Sequence, residues 1–402
     1  MQKRANKKIK KIGILAGDFS DLSGATDFIV AFVDALVRTS EGREVVVIMR
    51  TKRRQNAFNR LRARYMPQGS DEDWRGGLKR LKDAGLPEVP ILVCYRKDAA
   101  IARLCKQHSI EVVGPFTRPP QSPLGIPWFG YHYDFQHKHL PDNFTAKARE
   151  GRDRRILRLL SRADTIFVNA KAVREDAQEF FPGKEEKITP LSFSASAKLE
   201  WFRTDIKVAQ KKYGLAPKYF LISNQFWIHK NHEIAIEAFA NVNRDYPDLE
   251  LVLTGSTNDD RVPDRLGTLK NFISSHGVEK SVRILGLIPK LDQIAIMRGA
   301  ISVVQPTSFE GGPGGGSVFD AISLGVQTIV SDIPVNREIS SLVTQFFELN
   351  NYEDLARAMR IALASEPKPM DVDVLISEGN ARREVMGNEI WSAVEHGQIK
   401  LG

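Results

Sequence analysis

The sequence predicts an α/β protein built from two doubly wound parallel-sheet domains that face each other across a cleft. Three observations predict it. Short continuous apolar runs alternate with amphipathic stretches from end to end, the pattern of parallel strands covered on both faces by helices. The series pauses once near the middle and restarts at similar length. The chain, at 402 residues, is long enough for two or three domains.

The elements follow in order. Ile12–Ala16 is a β-branched run ending at Gly17, and after a polar loop Thr26–Arg38 shows helical spacing. Strands are expected at Glu44–Met49, Pro90–Tyr95, Glu111–Gly114, Pro127–Tyr133 and Thr165–Asn169, with a basic helix over Thr145–Arg162 before the last. The rhythm pauses over Ile188–Tyr213. It resumes with strands at Tyr219–Ser223, Glu250–Thr254, Val282–Leu285, Ile301–Gln305, Thr328–Ser331 and Gln345–Leu349, and a helix over Asn231–Tyr246. Val372–Ile399 reads as one or two helices. The expected division is a first domain over 1–195, a linker over 196–216, a second domain over 217–375, and a helical segment over 376–402 that packs back on the first domain.

Composition narrows the class. Apolar residues make up 42% and charged residues 27%, ordinary for a globular chain and wrong for a disordered or collagen-like one. Two cysteines, Cys94 and Cys105, are too few for a disulfide framework and lack zinc-site spacing. No apolar run is long enough to span a membrane, and the apolar run after the basic Met1–Lys11 is too short for a signal-peptide core. A cytoplasmic protein is expected, with peripheral attachment to the inner face of the cell membrane as an option. The formal net charge is +9. Residues 1–200 hold 37 basic against 24 acidic residues, whereas residues 201–402 hold 21 against 25. The basic half therefore faces something anionic: nucleic acid, a lipid surface or a phosphorylated substrate.

Ligands of open parallel sheets bind beyond the C-terminal ends of the strands, so the loops there carry the chemistry. Pro306–Ala321 (PTSFEGGPGGGSVFDA) follows a strand and opens a helix, with five glycines from Gly311 to Gly316 interrupted by Pro313. Such a turn presents free N–H groups to an anion, and Glu310 and Asp320 flank it as acceptors for hydroxyls. Phosphate donors beside hydroxyl acceptors suit a nucleotide sugar. The plainer alternative is a flexible loop with two surface acids. The loop is neither a Walker loop nor a GxGxxG fingerprint. In Ser223–His232 (SNQFWIHKNH), Lys230 can neutralise a leaving diphosphate and Asn231 can cap the next helix. His229 and His232 alone are a weak metal signal. Trp128–Pro141 gathers Asp134 with His132, His137 and His139, three of the eight histidines. These groups can hydrogen-bond sugar hydroxyls or handle protons near neutral pH; a polar loop with structural histidines is the alternative. Gly17–Ala25 places Gly24 at the cleft near the first helix start.

Together these residues resemble the GT-B glycosyltransferases, and specifically glycosyltransferase family 4 of the retaining, group 1 type. The resemblance covers nearly the whole chain and is sharpest in Ser223–Ile339. It rests on Phe309-Glu310-Gly311 through Asp320-Ala321, on Ser331-Asp332-Ile333-Pro334-Val335-Asn336-Arg337-Glu338, and on Asp134-Phe135-Gln136-His137, which is similar to an acceptor-side segment of one bacterial branch. It implies two Rossmann-like domains, the first binding acceptor and the second a nucleotide-diphosphate sugar, with no essential metal or other cofactor. Glu310 would contact sugar hydroxyls, Asp320 the ribose, Lys230 the diphosphate, and Gly24 would border it. Gly314, Gly315, Gly316 and Ser317 would line the phosphates, and Leu287 and Ile288 would flank the base. Asp134 and His137 join Lys230 and Glu310 as candidate catalytic residues, with His132 a rival to His137. Two features depart from the family. Nine residues, 311–319, separate the acids instead of seven, and the second is an aspartate. The family's arginine five residues before the lysine is Gln225 here, leaving its replacement open.

The implied activity is transfer of a hexose, mannose-like or related, to a saccharide or lipid-linked saccharide in bacterial surface polysaccharide or glycan biosynthesis. An epimerase or hydrolase of the same fold would need no acceptor. A non-catalytic nucleotide-sugar or nucleic-acid binding protein is a third reading, although no nucleic-acid-binding motif is present.

Overall fold

The computed structural model describes residues 8–19, 23–51, 72–259, 261–365 and 371–399. The first sheet has seven parallel strands: β1 (Lys11–Ile14), β2 (Glu44–Thr51), β3 (Ile91–Tyr95), β4 (Val112–Phe116), β5 (Trp128–Tyr131), β6 (Thr165–Val168) and β7 (Ile188–Pro190), in the order β3-β2-β1-β4-β5-β6-β7. The second has six: β8 (Tyr219–Ser223), β9 (Glu250–Thr254), β10 (Val282–Gly286), β11 (Val303–Gln305), β12 (Thr328–Ser331) and β13 (Gln345–Phe347), in the order β10-β9-β8-β11-β12-β13. The two parallel-sheet domains are those expected from the alternating runs. In each sheet the strand order reverses direction beside the first strand, between β1 and β4 and between β8 and β11. Loops leaving the C-terminal ends there form a crevice.

Strand residues such as Ile12, Val47, Leu221 and Leu253 are fully or almost fully buried because helices cover both faces. Phe32, Phe129 and Phe167 pack edge-on or stacked within the first core. Cys94 and Cys105 are free and buried, and burial pushes their thiols up to about 11 and about 12.

Two sequence expectations need correction. The pause after Ile188 hides a strand: Ile188–Pro190 pairs with β6 at the sheet edge, where a proline lacking an N–H is tolerated. Three residues ending in proline carry too little pattern to be recognised. Asn231 stands at the N-cap of His232–Asn243, but its side chain makes no cap bond. Its backbone is left-handed (φ 53°) and its amide donates to Asn350 instead (3.2 Å).

Segment 196–216 holds two short helices, Leu199–Phe202 and Ile206–Tyr213, whose Trp201 and Ala209 join the core beneath the second sheet. The last element, Val372–Ile399, is a single 28-residue helix that crosses from one domain to the other. Ile376 packs with the second core, while Met386, Ile390, Trp391 and Val394 enter the first. The Trp391 indole donates to the Leu36 carbonyl (3.3 Å) and Arg43 lies over its ring. Gly387 lets this helix touch the backbone of Ser23–Arg38: a Cβ there would overlap the Ala35 carbonyl and Thr39 Oγ1.

The domains also meet at the cleft. Glu338, on the second domain, accepts from the Lys171 and Ala172 N–H groups (3.0 and 2.9 Å). The helix Lys171–Phe180 has no side-chain cap of its own, so this carboxylate satisfies its free donors and its dipole from across the cleft. Ile333 and Val335 share an apolar cluster with Phe135, Val168 and Val173 of the first domain.

His232 sits wholly inside the second domain, stacked on Phe226 at 4.6 Å between ring centroids. Neither ring nitrogen has a partner among the described residues, and burial pushes its pKa down to about 3.

Two outcomes follow. Gly387→Ala should destabilise the protein by about 1–3 kcal/mol through overpacking. Gly151→Ala, in a helix where a Cβ meets nothing within 4 Å, should stabilise it by up to about 1 kcal/mol through helix propensity. Urea unfolding of both variants measures the contrast. For His232, the unfolded state binds the proton below its ordinary value of about 6.5 while the folded state resists it. Its contribution is therefore complete above that pH and is lost as pH falls towards about 3. The urea midpoint should fall less between pH 7 and pH 4.5 in His232→Leu than in wild type.

Candidate functional site

The two loops that open at the reversal point of the second sheet are tied together before any ligand enters. The His229 carbonyl accepts from the Ser308 N–H (2.8 Å) and from Thr307 Oγ1 (3.1 Å), and Ser331 Oγ donates to the Thr307 carbonyl (2.6 Å). This seam lays Lys230 against Glu310. Their side chains form a nearly buried ion pair. The same Glu310 oxygen accepts from Gln305 Nε2 (2.8 Å). Gln305 Oε1 in turn accepts from Asn224 and from Ser317 Oγ (3.4 Å). The acid and the lysine proposed for donor contact are thus held by a buried polar network at the ends of β8 and β11.

The glycine turn completes the site. Gly314 and Gly315 have positive φ (66° and 63°), which a side chain would strain. Asn336, fully buried, accepts from the Gly314 N–H (2.7 Å) and donates to the Ser331 carbonyl (2.9 Å), so the next strand's loop braces the turn. The helix Gly315–Ser323 then starts at the cleft, and Gly316 in its first turn faces open space. Gly311 lies against the first domain: a Cβ there would come within 2.6 Å of the Tyr133 carbonyl and 2.8 Å of Asp134 Cβ.

Asp134 therefore stands beside the glycine turn. Burial pushes its carboxyl up, against the Gln136 N–H bond (3.0 Å) and the charges of Arg152, His137 and Lys230. His137 is placed differently. Its Nε2 is bonded to Asp153 (2.8 Å) inside the first domain. Burial lowers its pKa, with Asp153 opposing. His132 is held against Phe135 at 4.6 Å, and burial pushes it down to about 3. His139 is the histidine that reaches across the cleft: its ring lies 5.3 Å from that of Phe309, and its Nε2 meets Asp176 (2.7 Å), which raises its pKa.

Asp320 is bonded to Lys290 (2.5 Å), and Lys290 also lies 3.9 Å from Asp27 of the first domain. Burial raises the Asp320 carboxyl and Lys290 opposes the rise. Leu287 is 81% exposed, while Ile288 packs against the core. Gly24 is exposed with nothing within 4 Å of a Cβ; residues 20–22 of its loop lie outside the described residues. Gln225 is half-buried at the end of β8. Two arginines stand beside this loop: Arg265, buried and paired with Glu233, donates to the Phe226 carbonyl (3.0 Å), and the second is the more exposed Arg261. Its guanidinium is chelated by Asp259, lies 5.5 Å from the Trp227 ring centroid and reaches Gln136 across the cleft (3.4 Å).

The structure thus brings together Lys230, Glu310, Ser317, Gly314, Gly315 and Asp134, and keeps His137 on Asp153. Sequence reading missed Gln305, Asn336 and Lys290. Gln305 was visible as a glutamine ending an otherwise apolar strand, and Lys290 as the cation just after Leu287–Ile288. Asn336 lay within the segment Ser331–Glu338 that carries the resemblance, but its role was hidden, since its partner is a backbone N–H 22 residues away. Among the described residues no three His, Cys, Asp or Glu side chains converge to hold a metal ion. No described helix is long and apolar enough to cross a membrane.

Comparison with known proteins agrees with this architecture. Residues 205–373 match the family model "Glycosyl transferases group 1". No curated protein matches the chain. Among solved structures, HepE of Anabaena in complex with UDP is 14% identical with a TM-score of 0.62, covering 96% of this chain and 98% of its own. A glycosyltransferase from Rickettsia africae is 14% identical with a TM-score of 0.59, covering 98% of each chain. Sucrose-phosphate synthase from Thermosynechococcus elongatus is 15% identical with a TM-score of 0.58, covering 98% of each. At these identities the structures speak for the fold, and the family model speaks for the second domain. Residues 205–373 thus form a domain of the group 1 glycosyl transferase kind, within a chain that has the GT-B fold.

Proposed function

We propose that the protein is a retaining glycosyltransferase that moves a hexose from a nucleotide-diphosphate sugar to a saccharide or lipid-linked saccharide, in bacterial surface polysaccharide or glycan synthesis. The observation that carries the reading is the Lys230–Glu310–Gln305 network beside the open start of the helix Gly315–Ser323. A cation, a carboxylate and the first turn of that helix then surround one point of the cleft, opposite Asp134. Lys230 and the helix N–H groups would stabilise charge growing on the departing diphosphate. Glu310, released from part of its bond to Lys230, would accept from sugar hydroxyls. Asp320 and Lys290 would hold the ribose end. No protein nucleophile and no metal is required if the leaving phosphate takes the acceptor proton. Closure of the two domains would keep water from the donor. HepE, with the same fold, is seen with UDP-glucose, which makes uridine nucleotides the first donors to test.

The excess of positive charge in residues 1–200 fits a phosphorylated acceptor or an anionic membrane surface near the first domain. The helix Ala146–Arg162 supplies part of that charge. Most of the basic Met1–Lys11 stretch lies outside the described residues.

A panel of nucleotide sugars, read by release of nucleoside diphosphate with and without a saccharide acceptor, tests the reading. Lys230→Ala and Glu310→Gln should each lower kcat/KM by about a hundredfold or more, the scale of losing one transition-state charge contact. Wild-type rates in both variants would overturn the site. Product formed equally well from donor alone would replace transfer by hydrolysis or epimerisation.

A further inference from the structure

The helix Ala146–Arg162 buries Ile156, Leu159 and Leu160 against Phe135 and Val168. One turn earlier on the same face, at four-residue spacing from Ile156 and Leu159, stand Arg152 and Arg155. The apolar face therefore continues as an arginine face. It does so at the cleft, because this helix runs back against the strand that follows it and its start lies at their C-terminal ends. Asp153 fixes the rotation by holding both His137 (2.8 Å) and Lys138 (2.7 Å). Arg152 lies over the Phe144 ring at 4.5 Å, and Arg155 is half-buried. Arg118, just past the end of β4, belongs to the same edge of the sheet.

Among the described residues none of these three guanidinium groups is paired with a carboxylate. Their neighbours are Tyr133 and Asp134, the residues that touch the glycine turn. Asp134, bonded to the Gln136 N–H, attracts Arg152 and Arg155 but is a single carboxylate among three cations. Burial foremost, then the charges of Arg152 and Arg118, lower the Arg155 pKa while Asp134 and Tyr133 oppose, so positive charge here exceeds the negative charge beside it. Three guanidinium groups around one carboxylate leave an excess of positive charge beside the cleft, a site for a multivalent oxyanion, since planar forks match phosphate oxygens in pairs.

Resting on the transferase reading above, we infer that Arg118, Arg152 and Arg155 bind a phosphate group carried by the acceptor, setting its hydroxyl beside Asp134 and the donor. The enzyme is then selective for phosphorylated acceptors over neutral sugars. The phosphate comes either from a lipid phosphate or from a phosphorylated sugar.

Calorimetric titration of the full chain with octyl phosphate, glucose 6-phosphate and octyl glucoside tests this. At least one phosphate compound should bind about tenfold or more tightly than the neutral glucoside, with strong weakening by salt. The tighter of the two identifies the source. Arg155→Gln and Arg152→Gln should each lose most of that preference, and Arg155→Lys should restore part of it. Equal binding of neutral and charged probes would overturn the inference. So would full preference in both glutamine variants, or loss of phosphate binding in Lys230→Ala alone, which would put the probe in the donor site. Failure here would leave nucleotide-sugar turnover intact, whereas failure of the transferase reading would appear in the donor panel.

Discussion

The close approach of the glycine turn to the first domain is the constraint on which the cleft depends. Gly311 rests on the Tyr133 carbonyl and on Asp134 with no room for a side chain. Because the turn can come this near, the helix Gly315–Ser323 starts at the cleft, and Glu310, set against Lys230 by the loop seam, immediately precedes the point of contact. Gln305 and Asn336 hold the turn from below, through Glu310 and the Gly314 N–H. A polar network this buried must be satisfied throughout, and it specifies one geometry. The site is therefore a product of backbone fit first and of charge second.

That fit needs two domains held at a definite spacing. The terminal helix does this by burying residues in both cores, with Trp391 and Gly387 seated on the helix Ser23–Arg38. At the cleft, Glu338 caps a helix of the other domain, and Ile333 and Val335 add an apolar contact. These contacts lie within a few residues of the donor-side loops, so closure and site assembly are mechanically linked. Charge is divided accordingly. The second half, slightly acidic overall, sets Lys230 on Glu310 and Lys290 on Asp320, whereas the first half gathers arginines around Asp134.

Most of the fold was legible because continuous β-branched and apolar runs have one stable use, as strands buried on both faces. Tyr219–Ser223 and Glu250–Thr254 came out with their observed ends. What failed was short or context-dependent. Ile188–Pro190 is too brief to show a pattern, and Asn231 looked like a cap but is turned into the left-handed region. In the site, the glycine turn, Glu310 and Lys230 stood out through composition and order along the chain. His137 stood out as well, yet the structure gives its ring to Asp153, since a histidine's partner is chosen by packing and not by its neighbours in sequence.

The sequence by itself determined the α/β class, the two-sheet plan and the loops where a ligand could meet phosphate donors and hydroxyl acceptors. Those properties follow from hydrophobic periodicity and from glycine density, which are local. Tertiary structure alone decided which groups are paired and which are left free. Gln305 lies 81 residues from Asn224, Glu338 lies 167 from Lys171, and Lys290 lies 30 from Asp320. It also decided that Arg152 and Arg155, which in sequence belong to an ordinary basic helix, gather beside Asp134 in excess of its single charge. Charge pairing depends on distances of a few ångström between distant segments, and only the folded chain sets those.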